Sequence, residues 1–422
     1  MSRRTAWLLF LLLAAVFLIL NRDAYRGYFQ DDEIGAMNWT RAGPASAFLK
    51  GALQPVYRNC FRAVGFYFFH VTEGFFGLDF PRYVAVIQAF HLLNVWMLWL
   101  LIRRLEAPVA AACFAVAFFA LHTALFDVVW KPAFVFDLLC ATFCLASTLL
   151  WMRGWWILSF VLFWLGYQSK ELAVMLPLVL AGYELWFGGR YWKRLAPFFA
   201  VSLSFSLQAL VLNPNPAGDY SFHFTPDTLV HTASFYGGRM FLVPGLGFLL
   251  LFLPSKAFNR QTRFGLVTLL LYFVPLLFLP GRMESAYCYL PFTGLAVALA
   301  GIAATRKPWE IAVFSLLWLP LDLYNLNVQR NGTLRQDRDI RAWITSVARF
   351  AVTDPHIDRF AYQGMPEGFR NFGLEATMQY FLKRPVTMVP LNSSEGSKLS
   401  QGGNAAILIW DQSSHQLRIE TP

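Results

Sequence analysis

The sequence predicts an α-helical polytopic membrane protein of about eleven transmembrane helices, with a small C-terminal α/β domain outside the bilayer. Three observations lead there. Hydrophobic residues make up 57% of the 422 residues and charged residues only 14%, about half the charge of an ordinary soluble chain. Many apolar runs approach the roughly 20 residues that a helix needs to cross hydrocarbon. The 42 Phe, 15 Trp and 16 Tyr suit lipid-facing surfaces and interfacial belts.

The expected spans cover residues 6–20, 83–102, 109–126, 133–151, 155–168, 172–187, 195–212, 232–253, 264–280, 286–304 and 309–326. The first follows Arg3 and Arg4, lacks a small-residue cleavage site, and reads as an uncleaved span. The pair 155–168 and 172–187, broken at Ser169-Lys170-Glu171, reads as two short spans or as a re-entrant pair. Lys and Arg concentrate in alternate loops, with Arg103, Arg104, Arg190, Lys193, Arg194 and Arg306 among them. Those loops are expected to be cytoplasmic. An odd number of spans then leaves the N-terminus cytoplasmic and the C-terminus extracytoplasmic, in a bacterial inner membrane. The same distribution explains the net charge of +10 as a topology signal, so nucleic acid is not an expected partner. Membrane lipids are.

Residues 1–325 form the expected transmembrane domain and 326–422 the extracytoplasmic α/β domain. A first extracytoplasmic loop, residues 21–82, is too long for a simple turn. Its segments 44–50 and 57–69 read as short surface helices. In the polar tail, 335–350 reads as a surface helix. Residues 359–362, 386–389, 405–410 and 416–419 read as strands, with a helix over 369–382.

Ionisable groups in or beside a bilayer are costly, so they mark candidate sites. The sharpest cluster is Asp31-Asp32-Glu33, just past the first span. Adjacent carboxylates repel, which raises at least one pKa toward the range a general base needs. Taken alone, an acidic triplet is more often a solvated patch. The other expected extracytoplasmic boundaries shift that balance, because each brings a charge to the same membrane face. They carry Lys170 with Glu171, Arg282 with Glu284 and Tyr289, Arg239, and His122 with Asp127. Cations there suit a phosphate and carboxylates suit activation of a hydroxyl. For each cation alone, an ion pair or snorkelling is the plainer reading. Asp137 sits deeper, facing a polar cavity or capping a helix start. No His or Cys spacing matches a metal site.

These segments resemble the GT-C glycosyltransferases, polytopic enzymes that take sugar from a polyprenyl-phosphate carrier. Tyr28-Phe29-Gln30-Asp31-Asp32-Glu33 resembles the acidic motif of the first outer loop, with Asp31-Asp32 or Asp32-Glu33 as the pair. Gly166-Tyr167-Gln168-Ser169-Lys170-Glu171 resembles the Gly-x-x-(Ser/Thr)-Lys-(Glu/Gly) motif. Arg282-Met283-Glu284-Ser285-Ala286-Tyr287-Cys288-Tyr289-Leu290-Pro291 resembles a late Arg-Tyr-Leu-Tyr-Leu-Pro-like segment. The likeness covers roughly residues 6–325. It is strongest toward the protein O-mannosyltransferases, ArnT-like enzymes, and the O-mannosyltransferases with tetratricopeptide repeats, although this tail carries no such repeats.

The resemblance implies an inverting transfer of a hexose or pentose from a polyprenyl-phosphate-linked donor to a hydroxyl of a protein, lipid or glycan. Asp32 or Asp31, with Glu33 beside them, would supply the base. Lys170, Arg282 and Arg239 would bind the donor phosphate, supported by Glu171, Glu284, Tyr289, His122, Asp127 and Asp137. Some members of the superfamily use a divalent metal and others do not. The competing readings are a lipid or sugar transporter and a non-catalytic scaffold. A transporter should show midplane charges and inverted repeats, and neither is visible here.

Overall fold

The structure is a computed structural model, and its described residues are 3–54, 62–208, 211, 218–242, 258–401 and 405–421. In chain order the helices are α1 (Arg3–Leu20), α2 (Asp31–Arg41), α3 (Ala45–Ala52), α4 (Ala63–Phe76), α5 (Phe80–Arg104) and α6 (Val109–Leu121). There follow α7 (Phe126–Trp130), α8 (Val135–Trp151), α9 (Trp156–Tyr167), α10 (Leu176–Trp186), α11 (Ala196–Leu207) and α12 (Pro226–Phe241). The last are α13 (Arg260–Phe273), α14 (Tyr289–Ala303), α15 (Pro308–Thr353), α16 (Asn371–Leu382) and α17 (Ser394–Gln401). Four strands complete the chain: β1 (Arg359–Gln363), β2 (Thr387–Pro390), β3 (Ala406–Asp411) and β4 (Gln416–Glu420).

Among the described residues, five helical stretches are long and apolar enough to cross a membrane: Phe80–Arg104, Pro132–Trp151, Arg260–Phe278, Ser285–Ala303 and Pro308–Thr353. Val109–Leu121 and Thr123–Trp130, bent by 46° at their junction, make a sixth when taken as one broken span. The chain is a multi-pass membrane protein. The expected spans 195–212 and 232–253 and the expected surface helix 57–69 each run in part outside the described residues.

The chain divides into two compact units. The first comprises Met1–Arg22, Phe48–Gly65 and Ala85–Asn327. Its centre is α14, which is buried along nearly its whole length. Small residues let α13 lie against it at backbone distance. A Cβ on Gly265 would fall 2.2 Å from the Ala298 nitrogen, and one on Gly294 would fall 2.4 Å from the Leu269 nitrogen. In lipid, where apolar surface gives helices little reason to associate, such close backbone packing supplies the attraction.

The second unit comprises Asp23–Ala47, Phe66–Val84 and Val328–Pro422. Its sheet has the order β2-β1-β3-β4, with β1 parallel to β2 and β3, and β3 antiparallel to β4. β2 ends at Pro390 on a sheet edge, where a missing N–H costs no ladder bond. Within α15, Ile340, Trp343, Ile344, Val347 and Phe350 are buried at helical spacing. Phe350 meets Phe360 of β1 edge-on, and Trp343 meets Trp410 of β3. The unit also holds α2, packed on α16.

One expectation is corrected. The span at 309–326 and the surface helix at 335–350 are a single helix of 46 residues, α15. The polar residues between them include no proline, and the helix runs on through them. Loss of hydrophobicity ends a membrane span without ending a helix.

Gly265→Val and Gly294→Val are expected to lower the melting temperature in detergent, each costing about 1–3 kcal/mol through overpacking. Gly237→Ala and Gly238→Ala, where a Cβ meets nothing within 4 Å, should melt near the wild type. Equal melting of all four variants would contradict the close α13–α14 contact.

Candidate active site

The three consecutive carboxylates open α2 and occupy three different environments. Glu33 is fully buried, and its Oε2 accepts the Gln30 N–H at 2.9 Å, closing the first turn as a capping box does. Asp32 is exposed. Asp31 is only 6% exposed. Its Oδ1 accepts the Asp32 N–H at 2.9 Å, and its Oδ2 lies 3.7 Å from Arg370 Nε. Among the described residues that buried Oδ2 accepts no hydrogen bond. Burial lifts the Asp31 carboxyl to about 6, and the Asp32 charge adds to the rise. The Asp32 N–H and the Arg370 guanidinium and N–H oppose it.

The segment before α2 is pinned by α15. Asp337 accepts the Tyr28 N–H at 3.0 Å and the Gln30 side-chain amide at 2.9 Å. Arg341 donates to the Gly27 carbonyl at 2.8 Å and lies 4.7 Å from the Tyr28 ring centroid. The sequence offered no sign of these partners, because Asp337 and Arg341 lie on a helix whose surface side alone looked charged.

In the other unit, a second charged cluster forms where helices break. Lys170 ends the turn after α9, in extended backbone just before the 3-10 segment Glu171–Met175. Its Nζ donates to both oxygens of Asp137, at 2.5 and 2.6 Å, and lies 3.7 Å from the Tyr287 ring centroid. Asp137 stands in the first turn of α8, where the helix dipole favours a carboxylate. Next to this pair, Arg62 holds Glu171 in a fork with contacts of 3.0, 3.2 and 3.0 Å, and it covers the Phe136 ring at 5.5 Å. Arg62 and Glu171 act electrostatically on Asp137 and Lys170. The quartet is charge-balanced. Arg62 went unsingled in the sequence because it stands at the edge of an aromatic run.

Arg282 is different. It hydrogen-bonds the Tyr220 hydroxyl and lies over that ring at 4.6 Å. Its buried Nε has no acceptor among the described residues. Asp137, Arg282, Arg62 and Glu284 all act electrostatically on the Tyr287 hydroxyl. Arg239 is exposed, covers its own helix neighbour Phe235 at 5.3 Å, and reaches Cys288 electrostatically.

Three remaining candidates have structural partners. His122 Nδ1 accepts the Ala124 N–H at 3.0 Å and Nε2 donates to the Met240 carbonyl at 3.0 Å, so this imidazole is neutral and holds the α6–α7 break. Tyr289 is fully buried, with its hydroxyl 2.8 Å from His91 Nδ1 and 3.2 Å from Asn94 Nδ2. Asp127 pairs with Lys131 at 3.4 Å and accepts the Ser285 hydroxyl, which ties α7 to the turn below Arg282. A buried carboxylate was missed: Asp322 of α15 accepts the Thr123 N–H at 2.9 Å and its hydroxyl at 3.0 Å. A lone acid in an apolar run was the available signal. Among the described residues no group of three or more His, Cys, Asp or Glu side chains is arranged to hold a metal.

Two solved structures share this architecture. ArnT from Cupriavidus metallidurans in the apo state superposes with a TM-score of 0.55, covering 98% of this chain and 94% of that one at 15% identity. The arabinofuranosyltransferase AftD from Mycobacteria gives a TM-score of 0.53 at 14% identity, covering 97% of this chain and 35% of that one. The chain has a GT-C fold. No protein-family model and no curated protein matches the sequence. At such identities the GT-C likeness establishes architecture, and residue roles rest on the geometry above.

The raised Asp31 pKa has a consequence for stability. A carboxyl lifted from 3.8 to about 6 on folding favours the fold fully below pH 3.8, and that contribution is lost as pH rises through about 6. Asp31→Asn is therefore expected to melt above the wild type at pH 8 and level with it below pH 4. A pH-independent difference would show that Asp31 is not strained by burial.

Proposed function

We propose that this chain is an integral membrane glycosyltransferase that moves a hexose or pentose from a polyprenyl-phosphate carrier to an acceptor hydroxyl, with inversion at the anomeric carbon. The observation that carries the reading is the GT-C fold over 98% of the chain, shared with ArnT. The clustering of loop Lys and Arg supports an orientation with the N-terminus cytoplasmic and the C-terminal module extracytoplasmic, and we place the chain in a bacterial inner membrane.

In this mechanism Asp32 is the base, because it is the carboxylate that a hydroxyl can reach. It takes the acceptor proton as the acceptor oxygen forms its bond to the anomeric carbon. The bond from that carbon to the carrier phosphate breaks, and the electron pair leaves with the phosphate oxygen. Asp31 is the buried partner, and above about pH 6 its charge stands beside the base. Arg282, with its Nε in want of an acceptor, takes the developing charge on the phosphate. Lys170 contributes by yielding one of its two bonds to Asp137, and Arg239 adds long-range attraction.

Purified protein in liposomes, given a panel of polyprenyl-phosphate-linked hexoses and pentoses with membrane extract as acceptor, should release polyprenyl phosphate. Asp32→Asn should cut that rate by about 10²–10⁴ at unchanged expression. An undiminished rate would remove the base.

Lys170→Ala strands Asp137 and should cost about 3–5 kcal/mol of stability. The double variant Lys170→Met with Asp137→Leu should recover melting temperature while donor KM stays raised. Full recovery of donor use would make the pair purely structural.

A further inference from the structure

The role of the C-terminal module can be read from what it presents to the acidic pair. Helix α16 starts after Arg370, which is extended at φ −100° and ψ 162°, so its first N–H groups and the positive end of its dipole project forward. Asp31 lies against that end. A Cβ on Gly373 would fall 2.4 Å from Asp31 Cβ, so only glycine there permits the approach. The Arg370 side chain, 56% exposed, brings Nε to 3.7 Å from Asp31 Oδ2. The charged groups acting on Asp31 are Asp32 on its own helix and Arg370 just before α16. Gly373 is its uncharged neighbour there. The backbone leading into the pair is held separately, by Asp337 and Arg341 of α15.

We propose that Arg370 is a positioning residue for the acidic pair, and that the C-terminal module acts on the base itself through this arginine. The inference rests on Asp31 and Asp32 being the base. Asp31 is the second member of the pair, and Arg370 bears on how readily it carries its charge beside Asp32. Arg370 favours the charged form of Asp31 and so extends activity toward acid. The side chain is exposed enough to be replaced without opening the core, and a neutral glutamine keeps its polar character.

The test is the pH profile of polyprenyl phosphate release by the full-length protein in liposomes. Wild type should lose activity on the acid side through about pH 6. Arg370→Gln should move that limb to higher pH, and a displacement of half a pH unit is about a three-fold loss at acid pH relative to the plateau. Arg370→Lys should return the limb toward the wild type, and donor KM on the plateau should not change. A limb in Arg370→Gln that coincides with the wild type would overturn the role of Arg370. Retained activity in Asp32→Asn would instead overturn the base, so the two failures are distinct.

Discussion

A lysine and an aspartate, both buried, bind each other in the first unit: Lys170 Nζ touches both oxygens of Asp137. Neither charge could sit alone in an apolar bundle, because an unpaired buried charge costs several kcal/mol. The pair therefore brings the start of α8 and the turn after α9 into one place. Arg62 and Glu171 extend it into a balanced quartet. Tyr287 closes it with a ring face. The charges of Arg282 and Glu284 also act on Tyr287.

The same constraint explains why the polar groups collect at helix breaks. A helix interrupted inside hydrocarbon exposes backbone N–H and C=O groups that water cannot reach, and side chains must take them. His122 and Asp322 do so at the α6–α7 break, where His122 accepts from Ala124 and Asp322 accepts from Thr123. Asp127 and Ser285 link that break to the turn before α14. Groups that looked like a scatter of boundary charges thus fall into those that keep broken helices intact and those left with capacity to spare. Arg282 belongs to the second kind and His122 to the first.

In the second unit the governing effect is desolvation. Three carboxylates of nearly identical chemistry become a cap, an exposed acid and a buried acid lifted to about 6. Their differences come from what covers each one. Glu33 turns back onto the helix start, Asp32 faces outward, and Asp31 is covered by α16. Glycine at position 373 is what makes that covering possible.

The sequence by itself determined the membrane class, the helical character and the C-terminal strands, because apolar run length and local alternation are properties of neighbouring residues. It also singled out Asp31-Asp32-Glu33, Lys170 and Arg282, since a charge beside a bilayer stands out against its apolar surroundings. It could not separate the three carboxylates, pair Lys170 with Asp137, or find Arg62, Asp322, Asp337 and Arg370. Those outcomes depend on burial and partnership between segments distant along the chain. A carboxylate's proton affinity is set by the dielectric and the charges around it, and only the packed chain decides what those are.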